Sequence, residues 1–345
     1  MSELILPKDY KPALDVETTE KAIKKIKDYF QVAIADELLL RRVTAPIIVL
    51  RGTGINDDLN GIERPVSFPI KGMDEQKAEV VHSLAKWKRL KLADLKLETG
   101  RGIYTDMNAL RPDEELGSLH SIYVDQWDWE KTIDQKDRTI DYLKETVEKI
   151  FNVYKRTEEH LTKEYPEIKQ TLPSKITFVY AEDLLREYPE LTVKQRETEA
   201  AKKYGAVFII GIGGKLSNGE PHDGRAPDYD DWTTETKEGY YGLNGDIVFW
   251  NPTIERAFEV SSMGIRVDKK ALLKQLEISG EESRKEFLFH KLLLNDQLPY
   301  TIGGGIGQSR TCMYLLQKAH VGEVQASIWP KSMKEICSYS GIKLL

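Results

Sequence analysis

The chain has 345 residues, of which 40% are hydrophobic and 31% charged, and a formal net charge of −6. At about 150 residues per domain this allows one large domain or two smaller ones of ordinary globular composition, and the negative balance argues against a large nucleic-acid-binding surface. Cys312 and Cys337 are the only cysteines, which excludes a disulfide framework and a cysteine-rich zinc site.

The opening stretch MSELILPKDYKPALDVETTE lacks a basic start followed by an apolar core, so no signal peptide is expected. Thr18 or Thr19 is a candidate cap for a helix whose Ile23, Ile26, Phe30 and Ala33 recur at helical spacing. RRVTAPIIVL reads as the start of a strand, with Pro46 as a break before Ile47, Ile48 and Val49. The polar, glycine-rich RGTGINDDLNGIERPVSFPI reads as a loop. A short strand is expected at 78–81, then a helix carrying Leu84, Trp87 and Leu90.

GIYTDMNALRPDEE and LHSIYVDQWDWE read as two strands separated by a charged loop. In the second, Ile122 and Val124 alternate with Tyr123 and Asp125, the period of two that a sheet requires. A long amphipathic helix follows, with Ile140, Leu143, Val147, Ile150 and Tyr154 on one stripe and Pro166 near its end. KITFVYAEDLL, AKKYGAVFIIGIG, GLNGDIVFWNP and AFEVSSMGIRV read as further strands. The longest apolar stretch, AVFIIGIGG, is far short of the roughly 20 residues of a membrane span, so no membrane partner is expected. EESRKEFLFHKLLLNDQLP reads as a helix leading into TIGGGIGQSR. Helices among many strands, not alternating one for one, predict an α+β fold rather than a doubly wound parallel sheet.

TIGGGIGQSR is not a phosphate loop. Counting from Gly303, the second glycine position of G-x-x-x-x-G-K-[ST] holds Gln308, the lysine position Ser309 and the hydroxyl position Arg310. G-x-G-x-x-G fails too, again at Gln308. The glycines read either as a turn between a strand and the buried helix QSRTCMYLLQKA, or as a floor that a flat ligand approaches closely. Arg310, in the first turn of that helix, would add a planar cation suited to phosphate or a base. Polar groups also sit in or beside apparent strands: Arg111, Asp125, Gln126, Asp128, Asp246, Glu259, Ser261, Ser262 and Arg266. Two arginines, paired acids and glycines form a set able to hold ATP with Mg²⁺.

RVTAPIIV, NALRPDEE with YVDQWDWE, and GGGIGQSR fall in the order of the three motifs of class II aminoacyl-tRNA synthetases. VVHSLAKWKR, LRPDEE, YVDQWDWE, HDGRAPDYDDW, LNGDI, SSMGIR and TIGGGIGQSR, in that order, resemble more closely the aspartate–ammonia ligase family, the ammonia-dependent asparagine synthetases. The resemblance spans roughly residues 20 to 330. It implies a mainly antiparallel sheet flanked by helices and a homodimer formed through the first motif; a cytoplasmic location is expected from the lack of an evident signal peptide or membrane span. It also implies one catalytic domain over 1–345, with short tails before about residue 17 and after about 331. The implied partners are aspartate, ATP and ammonia, with Mg²⁺ as cofactor, through a β-aspartyl-AMP intermediate.

By the same resemblance Arg111 would grip the α-phosphate and the attacking carboxylate, and Arg310 the far phosphates or the adenine. Asp246 and Glu259 would carry Mg²⁺. Asp57, or its neighbour Asp58, and Asp128 would pair with the substrate ammonium group. Ser83, Lys88 and Gln126 would hold the carboxylates, and Ser261, Ser262, Gly303, Gly304 and Gly305 would line the floor. Arg225, with ATP, and Asp230, as acceptor of the ammonium proton, sit in NGEPHDGRAPDYDDW, a lid over ATP or the path for ammonia; read without the resemblance this is a solvated acidic loop.

Free ammonia is the expected donor because glutamine-dependent amidation commonly needs a thiol nucleophile. Residue 2 is Ser, Cys312 falls in an apparent core helix and Cys337 in the C-terminal segment. Two other readings compete. A tRNA synthetase would need an anticodon-binding domain, for which no segment is left; a silent paralogue would be favoured by loss of Arg111, Arg310, Asp246 or Glu259, and all four are present.

Overall fold

The computed structural model describes residues 4–57 and 63–345; Asp58 lies outside them. The chain order is α1 (Val16–Leu38), β1 (Leu40–Arg42), β2 (Ile48–Leu50), β3 (Ser67–Ile70), β4 (Gln76–Val80), α2 (Ala85–Leu95), β5 (Gly102–Leu110), β6 (Tyr123–Thr132), α3 (Ile140–Glu164) and β7 (Thr177–Tyr180). It continues with α4 (Ala181–Glu187), α5 (Val193–Tyr204), β8 (Ala206–Ile210), β9 (Glu235–Lys237), β10 (Tyr240–Tyr241), β11 (Asn244–Asn251), β12 (Arg256–Ile265), α6 (Lys269–Ser279), α7 (Leu288–Leu294), β13 (Thr301–Gly307), α8 (Gln308–Leu315) and α9 (Lys331–Tyr339).

Eight strands form the main sheet in the order β1-β5-β6-β13-β12-β11-β8-β7. Its inner pairings are antiparallel, and β1 and β7 add to the two edges in parallel. The sheet is therefore mixed, with the antiparallel centre that the α+β reading expects. One face packs on α1 and α3. Phe30 from α1 stacks on Trp127 of β6 with ring centroids 4.5 Å apart, and Tyr154 from α3 meets Phe249 of β11 edge-on. β2, β4 and β3 make a small separate sheet.

Several local expectations need correction. Asp15, not Thr18 or Thr19, caps α1: its carboxylate accepts the Thr18 N–H at 2.8 Å. The Thr19 hydroxyl instead donates to the Asp15 carbonyl inside the first turn. KITFVYAEDLL is a strand only to Tyr180; from Ala181 it is α4, and α5 and α6 fill segments read as strand or left unassigned. The C-terminal stretch is no loose tail. α9 buries Met333 and Cys337 against the core, and Ile342 follows them. At the other end Leu14 is buried and the Tyr10 hydroxyl donates to Glu323. Among the described residues no helix is long and apolar enough to cross a membrane.

Candidate active site

The site grows from the alternation in YVDQWDWE. Trp127 and Trp129 turn into the core, which leaves Gln126, Asp128 and Glu130 on the opposite face of β6. The glycines of TIGGGIG are neither a turn nor a loop: they are the next strand, β13, and Gly303, Gly304, Gly305 and Gly307 are not among the positive-φ glycines. In register, Glu130 stands opposite Gly303, Asp128 opposite Gly305 and Gln126 opposite Gly307. A Cβ on Gly303 would collide with the Glu130 carboxylate, and one on Gly305 with the Gln126 amide. Glycine is thus required here for close approach of three polar side chains, not for backbone freedom.

Those side chains anchor a buried charge network. Lys88, 1% exposed, reaches from α2 to donate to Asp128 Oδ1 at 2.8 Å and to the Gly304 carbonyl at 3.0 Å, with Glu130 Oε2 3.9 Å away. Burial pushes the Lys88 ammonium below its ordinary value against the pull of both acids. Arg266, just past β12, grips Glu130 through Nε at 3.0 Å and Nη2 at 2.8 Å, and its Nη1 meets Asp230. Burial alone would raise the Glu130 carboxyl, but Arg266 and Lys88 outweigh it and hold it low. Arg225 continues the chain, 2.6 Å from Asp246 and 3.4 Å from Asp230.

A second group of charges lines the same cavity. β12 carries a bulge: Ser261 pairs with Ile247 and Glu259 with Val248, so Val260 has no ladder partner. Phe258 and Val260 before the slip, and Met263 and Ile265 after it, all enter the core. The change of parity leaves Glu259, Ser261 and Ser262 against the cavity. Arg310, in the first turn of α8, donates to the Glu259 carbonyl at 3.2 Å and lies 3.5 Å from its carboxylate. Arg111, one residue past β5, donates to the His82 carbonyl at 3.3 Å. Burial, then Arg310, pushes the His120 imidazole down to about 4, so it is neutral at pH 7.

These groups surround a cavity of about 400 Å³. It is lined by Asp57, Ser83, Lys88, Arg111, Gln126, Asp128, Arg225, Asp230, Glu259, Ser261, Ser262, Gly304, Gly305 and Arg310. Residues singled out in seven separate stretches of sequence therefore converge on one space. Two do not line it. Gly303 faces the Glu130–Arg266 pair beneath the floor, and Asp246 lies behind Arg225. Asp128 Oδ2 and Ser261 Oγ are buried without a hydrogen-bond partner among the described residues, and both residues line the cavity, so these polar atoms are open to a ligand there. Sequence reasoning missed Glu130 and His120, and gave Arg266 no role. The signal for Glu130 was the same period of two that exposed Asp128; His120, in an irregular loop, had none.

Among the described residues no group of three or more His, Cys, Asp or Glu is arranged to hold a metal. Asp246 and Glu259 are a pair of carboxylates that feel one another: burial and Glu259 push Asp246 up, while Arg310 holds Glu259 down against burial. Two hard oxygen donors fit an ion such as Mg²⁺, which takes its remaining ligands from water and phosphate. Arg225 and Arg310 now face those carboxylates.

The aspartate–ammonia ligase family model matches residues 17–341. An aspartate–ammonia ligase of Bacteroides fragilis is 59% identical over 345 residues, covering all of both chains. Those of Parabacteroides distasonis and Clostridium perfringens are 59% and 56% identical, again over the full length of each. Among solved structures, an asparaginyl-tRNA synthetase from Pyrococcus horikoshii complexed with asparaginyl-adenylate superposes with a TM-score of 0.66 at 16% identity. That match covers 91% of this chain and 70% of that one. An aspartyl-tRNA synthetase from Entamoeba histolytica gives 0.60 at 12% identity, over 89% and 58%. The sheet is thus that of a class II synthetase catalytic core.

Proposed function

Because this chain belongs to the aspartate–ammonia ligase family and makes asparagine from aspartate and ammonia, we propose the route: ATP activates the β-carboxylate as β-aspartyl-AMP, and ammonia then displaces AMP. In the first step a carboxylate oxygen attacks the α-phosphorus and pyrophosphate leaves. In the second, ammonia attacks the β-carbonyl carbon, the acyl–phosphate bond breaks and AMP departs.

The observation that carries this reading is the pairing of an acid-lined floor with arginines across one cavity. Joining two anions requires their repulsion to be screened and their atoms aligned. Arg111 would bridge the attacking carboxylate and the α-phosphate; its buried Nε lacks a hydrogen-bond partner among the described residues. Arg310 would hold the distal phosphates or the adenine, and Arg225 would add charge from the other side. Asp246 and Glu259 would hold Mg²⁺, which neutralises phosphate charge and eases pyrophosphate departure.

Aspartate would lie on the floor formed by β6 and β13. Asp128, whose Oδ2 has no hydrogen bond among the described residues, and Asp57 would receive its ammonium group. Lys88, Ser83 and Gln126 would orient its carboxylates, with Ser261, Ser262, Gly304 and Gly305 shaping the surface beneath and Gly303 making room below it for the Glu130–Arg266 pair. Ammonium must lose one proton before it attacks and another as the C–N bond forms; Asp230 would accept the first on Oδ2, which has no hydrogen bond among the described residues.

The enzyme would act as a cytoplasmic homodimer joined through α1 and the small sheet, a single catalytic unit from end to end. Ile48, Leu50 and Phe68 on that sheet, and Ile47 just before it, are exposed, 37% or more each, which supports a contact there. Product analysis tests the route. Purified protein with ATP, Mg²⁺, aspartate and ammonium should form asparagine and AMP one for one. Asparagine accompanied by ADP would mean an acyl-phosphate and would remove the adenylate.

A further inference from the structure

The segment from Gly224 to Thr233 carries Arg225, Tyr229 and Asp230 to the cavity. Its other side is buried and held by two residues that do not line the cavity. Gln275 of α6 is 0% exposed. Its Oε1 accepts the Trp232 N–H at 2.9 Å and the Thr233 hydroxyl at 3.3 Å; its Nε2 donates to the Pro227 carbonyl at 3.0 Å and the Asp230 carbonyl at 2.9 Å. One amide therefore spends both donors and both acceptor sites on the same segment.

Asp228, also 0% exposed, is the second anchor. Its Oδ2 receives Lys86 Nζ, Arg284 Nη1 and His290 Nε2, each at 3.0 Å. These three come from α2, the single turn before α7, and α7 itself. Burial would raise this carboxyl, but the cations, Lys86 foremost, hold it far below the carboxylate range. Main-chain bonds complete the attachment: Val267 N–H to the Tyr229 carbonyl at 2.9 Å, and Asp231 N–H to the Ile265 carbonyl at 3.0 Å.

We propose that Gln275 and Asp228 are positioning residues for the reaction: from behind, they fix the Gly224–Thr233 segment as a preorganised wall, so that Arg225 and Asp230 stand ready rather than closing as a lid. The inference rests on the placing of Arg225 and Asp230 in the reaction proposed above. A site assembled in advance loses no binding energy to ordering, and a small displacement of its charged groups is costly to rate.

The test is a double-mutant cycle. Gln275→Met keeps the volume and removes the amide. The folded variant, assayed well below its melting temperature, should lose roughly tenfold or more in kcat/KM. In an Arg225→Ala background the same change should cost several-fold less than in the native enzyme, because one of the two groups it positions is gone. A folded Gln275→Met enzyme with native constants, or an equal loss in both backgrounds, would overturn the clamp while leaving the site intact. Native constants for Arg225→Ala alone would remove Arg225 from the site, and the clamp with it. If Gln275→Met does not fold, Gln275→Asn, which only withdraws the amide by one carbon, replaces it with the same two arms.

Discussion

Gly303 stands directly opposite Glu130 in the β6–β13 ladder, and the space where its side chain would be is filled by the Glu130 carboxylate, with Arg266 Nη2 2.7 Å from the Cβ position. Gly303→Ala must push apart a buried ion pair. It should destabilise the protein by about 1–3 kcal/mol and nearly abolish asparagine formation. Gly72→Ala, where nothing lies within 4 Å, should change neither. Urea unfolding and an ammonium-dependent assay on both variants check this.

Arg111 follows a strand, and among the described residues its side chain makes one hydrogen bond, to the His82 carbonyl, so its guanidinium is available for ligand. Arg111→Ala should leave the melting temperature nearly unchanged. Aspartate-dependent exchange of pyrophosphate into ATP should fall by about a hundredfold or more. A folded variant with near-native exchange would take Arg111 out of the first step.

Neither thiol has the setting of a nucleophile. Cys312 is fully buried in the core and burial pushes it up to about 12; Cys337 is likewise buried and raised. The double replacement Cys312→Ala/Cys337→Ala should retain ammonium-dependent activity, and glutamine should not substitute for ammonium in either protein. Folded protein without activity would contradict thiol-free chemistry.

His320 gives stability a pH dependence. It is 0% exposed, and its Nδ1 accepts the Gly322 N–H at 2.9 Å, a bond that only the unprotonated nitrogen makes. Burial lowers its pKa to about 4, against an ordinary value of 6.5. Between those values the unfolded chain binds the proton and the folded one does not, so stability is lost as pH falls through that window and is fully present above it. His320→Asn, which can still accept from Gly322, should flatten this part of the profile in denaturant titrations between pH 7 and 4. An unchanged slope would rule out His320 as its source.

The sequence made the site legible wherever a residue lay on a regular element. Asp128 and Glu130 share one face of β6 because Trp127 and Trp129 claim the other, and a period of two suffices to see it. Glu259 and Ser262 were harder, since a bulge at Val260 changes the parity between them. The three adjacent glycines suggested a turn by composition, but their extended conformation depends on what β6 places opposite them. Asp228 and Gln275 were invisible: each matters through partners 42 or more residues away, and no local pattern records such a meeting.

The most direct test of the adenylate route follows oxygen. Aspartate carrying ¹⁸O in both β-carboxylate positions is converted with ATP, Mg²⁺ and ammonium, and the products are analysed by mass spectrometry. Attack of that carboxylate on the α-phosphorus predicts one ¹⁸O in AMP and one retained in asparagine. Label in inorganic phosphate, with none in AMP, would place the attack on the γ-phosphorus and contradict the mechanism.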